Sequence, residues 1–444
     1  MCIRDRGNGD IISVAIDTTL TTPKVWFAVN NSWQAASGNS GTFNPSGGYS
    51  LTSGKKYTFT VDHGSGSSST TGTCFFGAHQ GGFNYDPPSG FKALSSKNLP
   101  KPTTPIINPD QHFDTLLYTG TGSSNIVEGL KFQPDMVWVK GRDTNGYENM
   151  IIDSVRGGTK SIVPNSADPE STHGGRSMTF YNRGVRWNSD SGNCNANGED
   201  YVLWCWKGGG TAVSNTDGSV TSTISANQEA GFSIVQFESQ SSGTITVGHG
   251  LGRKPAFWMW KSIDNTIGWY NYHKSIGYNG WINLNTTSQA TTGNAAAWGA
   301  EPTDTVLTHG SGLVNQNTIM MYVWAEIPGF SKFGSYTGNA STDGTYVHCG
   351  FRPAFVLTKM IDTMNENWTI SDSSRSTYNP VDLFLRPDEA VKDTSGAATM
   401  DFLSNGFKLR NTDDKTNRDG GTFIFMAFAE QPVYPPFDSF PNAR

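Results

Sequence analysis

"PDMVWVK", residues 134–140, returns as "PAFWMWK" at 255–261 and again as "PAFVLTK" at 353–359. Each copy opens with proline, continues through five mostly apolar residues and closes with lysine. A strand sends successive side chains to opposite faces, so the copies can be compared one face at a time. The even positions after the proline are Met136, Trp138 and Lys140, then Phe257, Met259 and Lys261, then Phe355, Leu357 and Lys359. Two large apolar side chains followed by lysine, three times over, mark this face as core. Burying each large side chain contributes roughly 1.5–3 kcal/mol. The lysine is expected to lay its stem along the core edge and hold its ammonium in water. Pro134, Pro255 and Pro353 fall where a strand begins and a missing N–H costs least.

The odd face differs between copies: Asp135, Val137, Val139; Ala256, Trp258, Trp260; Ala354, Val356, Thr358. A face that varies is not dictated by the shared core. In the second copy it carries a tryptophan pair, with Tyr278 and further aromatics close in sequence. Two readings stay open. Both faces are buried between sheets, or Trp258, Trp260, Trp269, Tyr270, Tyr272 and Trp281 form an exposed aromatic patch on which a sugar stacks.

The strand belongs to a longer repeat. Each unit opens with an aromatic and a Gly-rich turn ("HFDTLLYTGTGSS", "GFSIVQFESQSSG", "FSKFGSYTGNAS"). Each ends in an aromatic-rich strand: "YVLWCWK" (201–207), "IMMYVWAE" (319–326) and "FIFMAFAE" (423–430). Landmarks recurring in one order are the signature of internal repeats. The predicted units are 112–209, 230–329 and 330–433, with a linker at 210–229 and a tail at 434–444. The first unit is longer, and an insertion is expected within 157–200. "DSVR" (153–156) and "DSSR" (372–375) stand equally far past the motif lysine. Asp153 with Arg156, and Asp372 with Arg375, suit a turn whose carboxylate accepts backbone N–H groups and pairs with the guanidinium. The second unit has His273 four residues after Trp269, as Asp372 is four after Trp368, and no arginine follows.

Composition agrees with an all-β protein of short strands. There are 51 glycines in 444 residues, and charged residues make up 16%, against a usual ~25%. A formal charge of -6 without a basic block argues against a nucleic-acid partner. The apolar runs fall short of the ~18–20 residues of a membrane span, so no membrane insertion is expected. The five cysteines, Cys2, Cys74, Cys194, Cys205 and Cys349, show no metal spacing and suit assembly in a reducing cytoplasm. No motif of catalysis or nucleotide binding is present. No catalytic residue, metal or cofactor is expected.

Residues 1–94 alternate strands and turns. "DIISVAID" (10–17), "WFAVNNSW" (26–33) and "FFGAHQGGF" (75–83) resemble the second half of a SPRY domain, a concanavalin-like β-sandwich, with Asn30-Asn31 at the usual Asn-Gly turn and Phe75 at the usual Asn. The first half of such a sandwich is missing, so the chain is read as starting at a fragment boundary. "MCIRDR" (1–6) fits nothing after it and is read as a non-native scar. Residues 95–111, rich in proline, form a linker.

The repeat vocabulary, including "GLKFQPDMVWVKGRD", "VLWCWKGGG", "GHGLGRKPAFWMWK", "AEIPGFSKFGSYTGN" and "FMAFAEQP", resembles the β-rich repeat region of bacteriophage tail-fibre-like virion proteins. That resemblance implies a virion structural protein, a tail fibre or appendage assembled in the host cytoplasm. Its partners would be other virion proteins and a host cell-surface glycan or protein receptor, and a homotrimer is common for such fibres. The alternatives are a carbohydrate-binding region of a larger phage or bacterial enzyme, and a structural spacer without a ligand.

Overall fold

Short apolar runs cut by Gly, Asn and Ser turns give, in the computed structural model, a chain built almost entirely of antiparallel strands. The structure describes residues 10–17, 20–34, 40–52, 85–91, 108–172, 177–189, 192–240, 242–313, 317–363 and 365–431. It divides into two bodies, 1–101 and 102–444. The readings of residues 1–6, of "FFGAHQGGF" (75–83), of residues 95–107 of the linker and of the tail lie outside the described residues.

In the first body, β1 (Ile12–Asp17), β2 (Lys24–Val29), β3 (Ser32–Gln34), β4 (Ser40–Gly41) and β5 (Tyr49–Ser50) form one sheet. Asn30 and Asn31 both take left-handed backbone angles (φ 48° and 64°) between β2 and β3. That is the turn chemistry of a two-residue hairpin, and asparagine tolerates it better than most residues. Ala15, Trp26, Ala28 and Trp33 are its buried core.

The second body holds three units of one plan. Unit one comprises β6 (Phe113–Thr119), β7 (Asn125–Glu128), β8 (Met136–Gly141), β9 (Met150–Asp153), β10 (Lys160–Ser161), β11 (Ser171–Thr172), β12 (Met178–Tyr181), β13 (Gly184–Trp187) and β14 (Asp200–Trp206). Unit two runs through β15 (Val213–Asn215), β16 (Ser222–Asn227), β17 (Phe232–Glu238), β18 (Ile245–Gly248), β19 (Pro255–Ser262), β20 (Tyr270–His273), β21 (Val306–His309) and β22 (Thr318–Ala325). Unit three has β23 (Ser331–Thr337), β24 (Tyr346–His348), β25 (Arg352–Met360), β26 (Thr369–Asp372), β27 (Met400–Leu403), β28 (Gly406–Leu409), the short α1 (Asp414–Asn417) and β29 (Thr422–Gln431).

The main sheets run β6-β14-β8-β9, β17-β22-β19-β20 and β23-β29-β25-β26. In each, the last strand of the unit lies between the first and the motif strand, so the motif strand is central. A smaller sheet covers one side: β12-β13-β7, β18-β21 and β24-β28-β27. Gly184 and Gly406 begin equivalent strands of the outer sheets, where a Cβ would come within 1.9 Å of the Val127 carbonyl oxygen or 2.0 Å of the Val347 one.

Two expectations are corrected. Residues 157–200 hold no insertion: β12 and β13 correspond to β27 and β28, and Pro134 to Tyr201 is about as long as Pro353 to Phe423. The extra length lies in the stretch read as a linker, where β15 and β16 extend the main sheet of unit two to six strands. The prolines also differ in place. Pro255 opens β19, but Pro134 precedes β8 and Pro353 is the second residue of β25, with register shifts at Pro255 and Pro353.

Each main sheet is buried on both faces. Val137 and Val139 face the outer core of unit one, Trp258 and Trp260 that of unit two, and Val356 that of unit three. The even positions of all three motifs converge on a single core. Met136, Trp138, Phe257, Met259, Phe355 and Leu357 belong to it, as do Trp204 and Trp206, Tyr322 and Trp324, and Met426 and Phe428 from the last strands. The units are therefore three sandwiches fused around one shared centre.

Candidate functional site: three equivalent seams

The recurring polar residues sit where the units meet. After each motif strand the chain turns into an edge strand, placing Asn149, Trp269 and Trp368 four residues ahead of Asp153, His273 and Asp372. The first set reaches into a neighbouring unit. The Trp269 indole donates to the Val163 carbonyl at 3.0 Å, Trp368 to that of Asn283 at 2.9 Å, and the Asn149 amide to that of Arg386 at 3.1 Å. These acceptors are themselves equivalent, each directly following a residue bridged to its own edge strand (Ile162, Ile282 and Leu385). Two bonds thus lead from unit two to one and from three to two, and the third closes the circle from one to three.

The second set runs the other way round. The Asp153 carboxylate accepts from the Tyr322 hydroxyl of unit two at 2.7 Å, and Asp372 from the Trp204 indole of unit one at 3.0 Å. The His273 Nε2 meets the Phe425 carbonyl of unit three at 3.2 Å. A third circle is pure backbone: Glu170 N–H to Ile263, Ala290 N–H to Ile361 and Asp393 N–H to Arg142, each 2.9 Å. Nine bonds, in three sets of three, close a cyclic, quasi-threefold ring within one chain.

The aspartate–arginine turn takes the predicted form. Asp153 Oδ1 accepts from the Val155 and Arg156 backbone and Oδ2 from Arg156 Nε at 2.6 Å; Asp372 does the same with Ser374 and Arg375. Each guanidinium also reaches an acid, Glu170 at 3.2 Å or Asp393 at 2.6 Å. Both pairs are buried, so the turns anchor the seams rather than border solvent.

The lysines contradict their expectation. Lys140, Lys261 and Lys359 have no exposed surface. The ammonium of Lys140 donates to the Tyr147 carbonyl. That of Lys261 donates to Ser262 at 2.6 Å and, across the seam, to Ala167 at 3.1 Å, and that of Lys359 to Met360 at 2.7 Å. The sandwich covers the strand end that sequence reading placed in water. Burial pulls each ammonium down to about 8, against partial support from nearby carboxylates.

The aromatic patch is likewise corrected. Trp258, Trp260, Trp269 and Tyr272 are at most 1% exposed. The Trp258 ring stacks on Tyr272 at 3.9 Å and meets Trp298 edge-on at 5.0 Å, while Trp260 packs on Tyr270 and His309. Trp269 faces the shared core. Only Tyr270 and Trp281 keep part of their surface, as a tilted pair 5.9 Å apart. The outer sheet β18-β21 and the loop carrying Trp298 cover the odd face, a layer that the motif itself does not announce.

A concavity that sequence reading missed opens on unit three. It is a cleft of about 730 Å³ lined by Glu366, Arg410, Asn411, Asp413, Asp414 and Lys415, among others. Asp413 caps α1 by accepting from the Lys415 N–H at 2.9 Å. Arg410 pairs with Asp401 at 2.6 Å. The Glu366 carboxyl is pushed up by partial burial and by Asp414 and Asp413, with Lys415 opposing. The lining is mostly charged and polar. Among the described residues no group of three or more His, Cys, Asp or Glu could hold a metal ion, and no helix is long and apolar enough to cross a membrane.

Fold and seams together define an all-β module of three fused sandwich units. Residues 108–432 match the model of a family described as a domain of unknown function, DUF7483, and the chain belongs to that family. A search of the curated proteins returns no match.

Proposed function

We propose that the chain is a bacteriophage virion protein, a tail fibre or related appendage, whose second body is a rigid head for attachment to a host-surface glycan or protein receptor. The observation that supports this reading is the use made of the recurring residues. The aspartate–arginine turns, Lys261 and Trp269 serve the shared core and its seams, while Trp258 and Trp260 are spent in the outer core of unit two and Lys140 and Lys359 inside their own units. Chemistry free to meet a partner is left to the outer loops and the polar cleft of unit three. A core closed through three seams resists distortion under load, which suits an attachment module. The SPRY-like first body would then be a second display or connecting module of the same appendage.

Two measurements test this. Genes flanking the coding frame are expected to encode tail and baseplate components; a hydrolase domain in the same frame would favour a carbohydrate-binding region of an enzyme. Purified full-length chain is expected to adsorb saturably to host cells and to be displaced by their surface glycans or by receptor-stripping protease. Absence of adsorption by a folded chain would leave the spacer reading.

A further inference from the structure

His273 breaks the pattern of the seams. Units one and three close this contact with a buried carboxylate neutralised by an arginine three residues on. Unit two closes it with an imidazole, 1% exposed, followed by Lys274 and Ser275. The Ser275 N–H donates to Nδ1 at 3.1 Å, so Nδ1 is the acceptor and Nε2 carries the proton given to the Phe425 carbonyl. Both nitrogens are therefore engaged, and only in the neutral ring. A proton added at Nδ1 would face the Ser275 N–H, with no acceptor in reach among the described residues.

We propose that the seam between units two and three is an acid-sensitive latch: protonation of His273 breaks its bond network and opens this seam, while the two seams held by aspartate–arginine pairs stay closed. The surroundings offer the imidazolium little. Phe257 packs edge-on at 6.1 Å, and Phe257 stacks in turn on Phe333 of unit three. The charged groups near the ring are Lys274, which opposes a second positive charge, and Glu326. The Glu326 carboxylate is already shared between Lys274 at 2.5 Å and Lys332 at 2.6 Å. Burial, ahead of these charges, holds the imidazole down to about 4. The sign follows from a depressed basic group. Between its folded value and the ordinary ~6.5, the opened form binds the extra proton, so acid favours opening.

The test is hydrogen exchange by mass spectrometry on the full chain at pH 7.5 and 5.0, corrected for intrinsic rates. Opening at β20 and the facing part of β29 is expected to rise roughly thirtyfold at pH 5.0, with protection kept at β9 and β26. His273→Gln, which keeps a donor but does not titrate in this range, is expected to abolish the rise. An equal rise at all three seams, or a rise concentrated at β18 and β21 near His249 and His309, would overturn the proposal, as would an unchanged response in His273→Gln. If that variant does not fold, the wild-type imidazole resonances decide. A ring that stays neutral until β20 and β29 open supports the latch; a ring that protonates near pH 6.5 with both strands protected overturns it.

Discussion

Trp258 shows how far one residue can be read. Its alternation with Phe257 and Met259 was legible, because two faces of a strand must differ in what they meet. What it meets was not, since Trp298 and Tyr272 arrive from elsewhere in the unit and leave no mark on residues 255–261. As a packed indole, Trp258→Ala is expected to cost about 3–5 kcal/mol in denaturant unfolding. A neutral effect on stability together with lost adsorption would restore the exposed-platform reading. Asp372 is the clearer case. Asp–x–x–Arg announced the turn, but not that Trp204 from unit one would complete it. Asp372→Ala strands the buried Arg375 guanidinium and is expected to lower stability by about 3–5 kcal/mol, measured the same way. A change below about 1 kcal/mol, typical of an exposed pair, would contradict its role as an anchor.

At the scale of the element, the motif strand was recognised and its end misplaced. Sequence reading correctly set Met136 and Trp138, Phe257 and Met259, and Phe355 and Leu357 inside. It put the lysines at a wet edge because lysine usually ends there. Here backbone carbonyls receive the ammonium instead, and for Lys261 one of them, that of Ala167, belongs to a neighbouring unit. The consequence is a rise in stability with alkali. Each lysine is held at about 8 when folded against an ordinary 10.5. Between those values the unfolded chain binds more protons, so raising pH favours the fold. From pH 8 to 9 the gain is on the order of 1 kcal/mol per lysine, read as a higher denaturation midpoint. Loss of stability over that interval would show the ammonium groups to be solvated. Above pH ~9 the buried thiols of Cys205 and Cys349, pushed up by burial, begin to work in the opposite direction.

At the scale of the molecule, the repeat count was legible and its closure was not. Self-similarity shows that three units exist, yet sandwiches on a string and sandwiches fused in a ring carry the same landmarks. The difference lies in bonds between residues far apart in the chain, such as Asn149 to Arg386 and Trp204 to Asp372. The shared core needs no second copy of the chain, because each unit supplies one wall of it. It also follows that an isolated unit is a poor reagent, since residues 230–330 alone would expose Phe257, Met259 and Trp269. The most direct measurement is equilibrium unfolding of a chain ending at residue 329, compared with the full chain. Without unit three, Phe113, Trp206 and Phe257 lose their contacts with Phe355, Phe428 and Phe333. The account predicts that the cooperative transition of units one and two is lost or falls to much lower denaturant, with binding of a hydrophobic dye. An unchanged midpoint and unchanged near-ultraviolet circular dichroism of those two units would contradict a shared core.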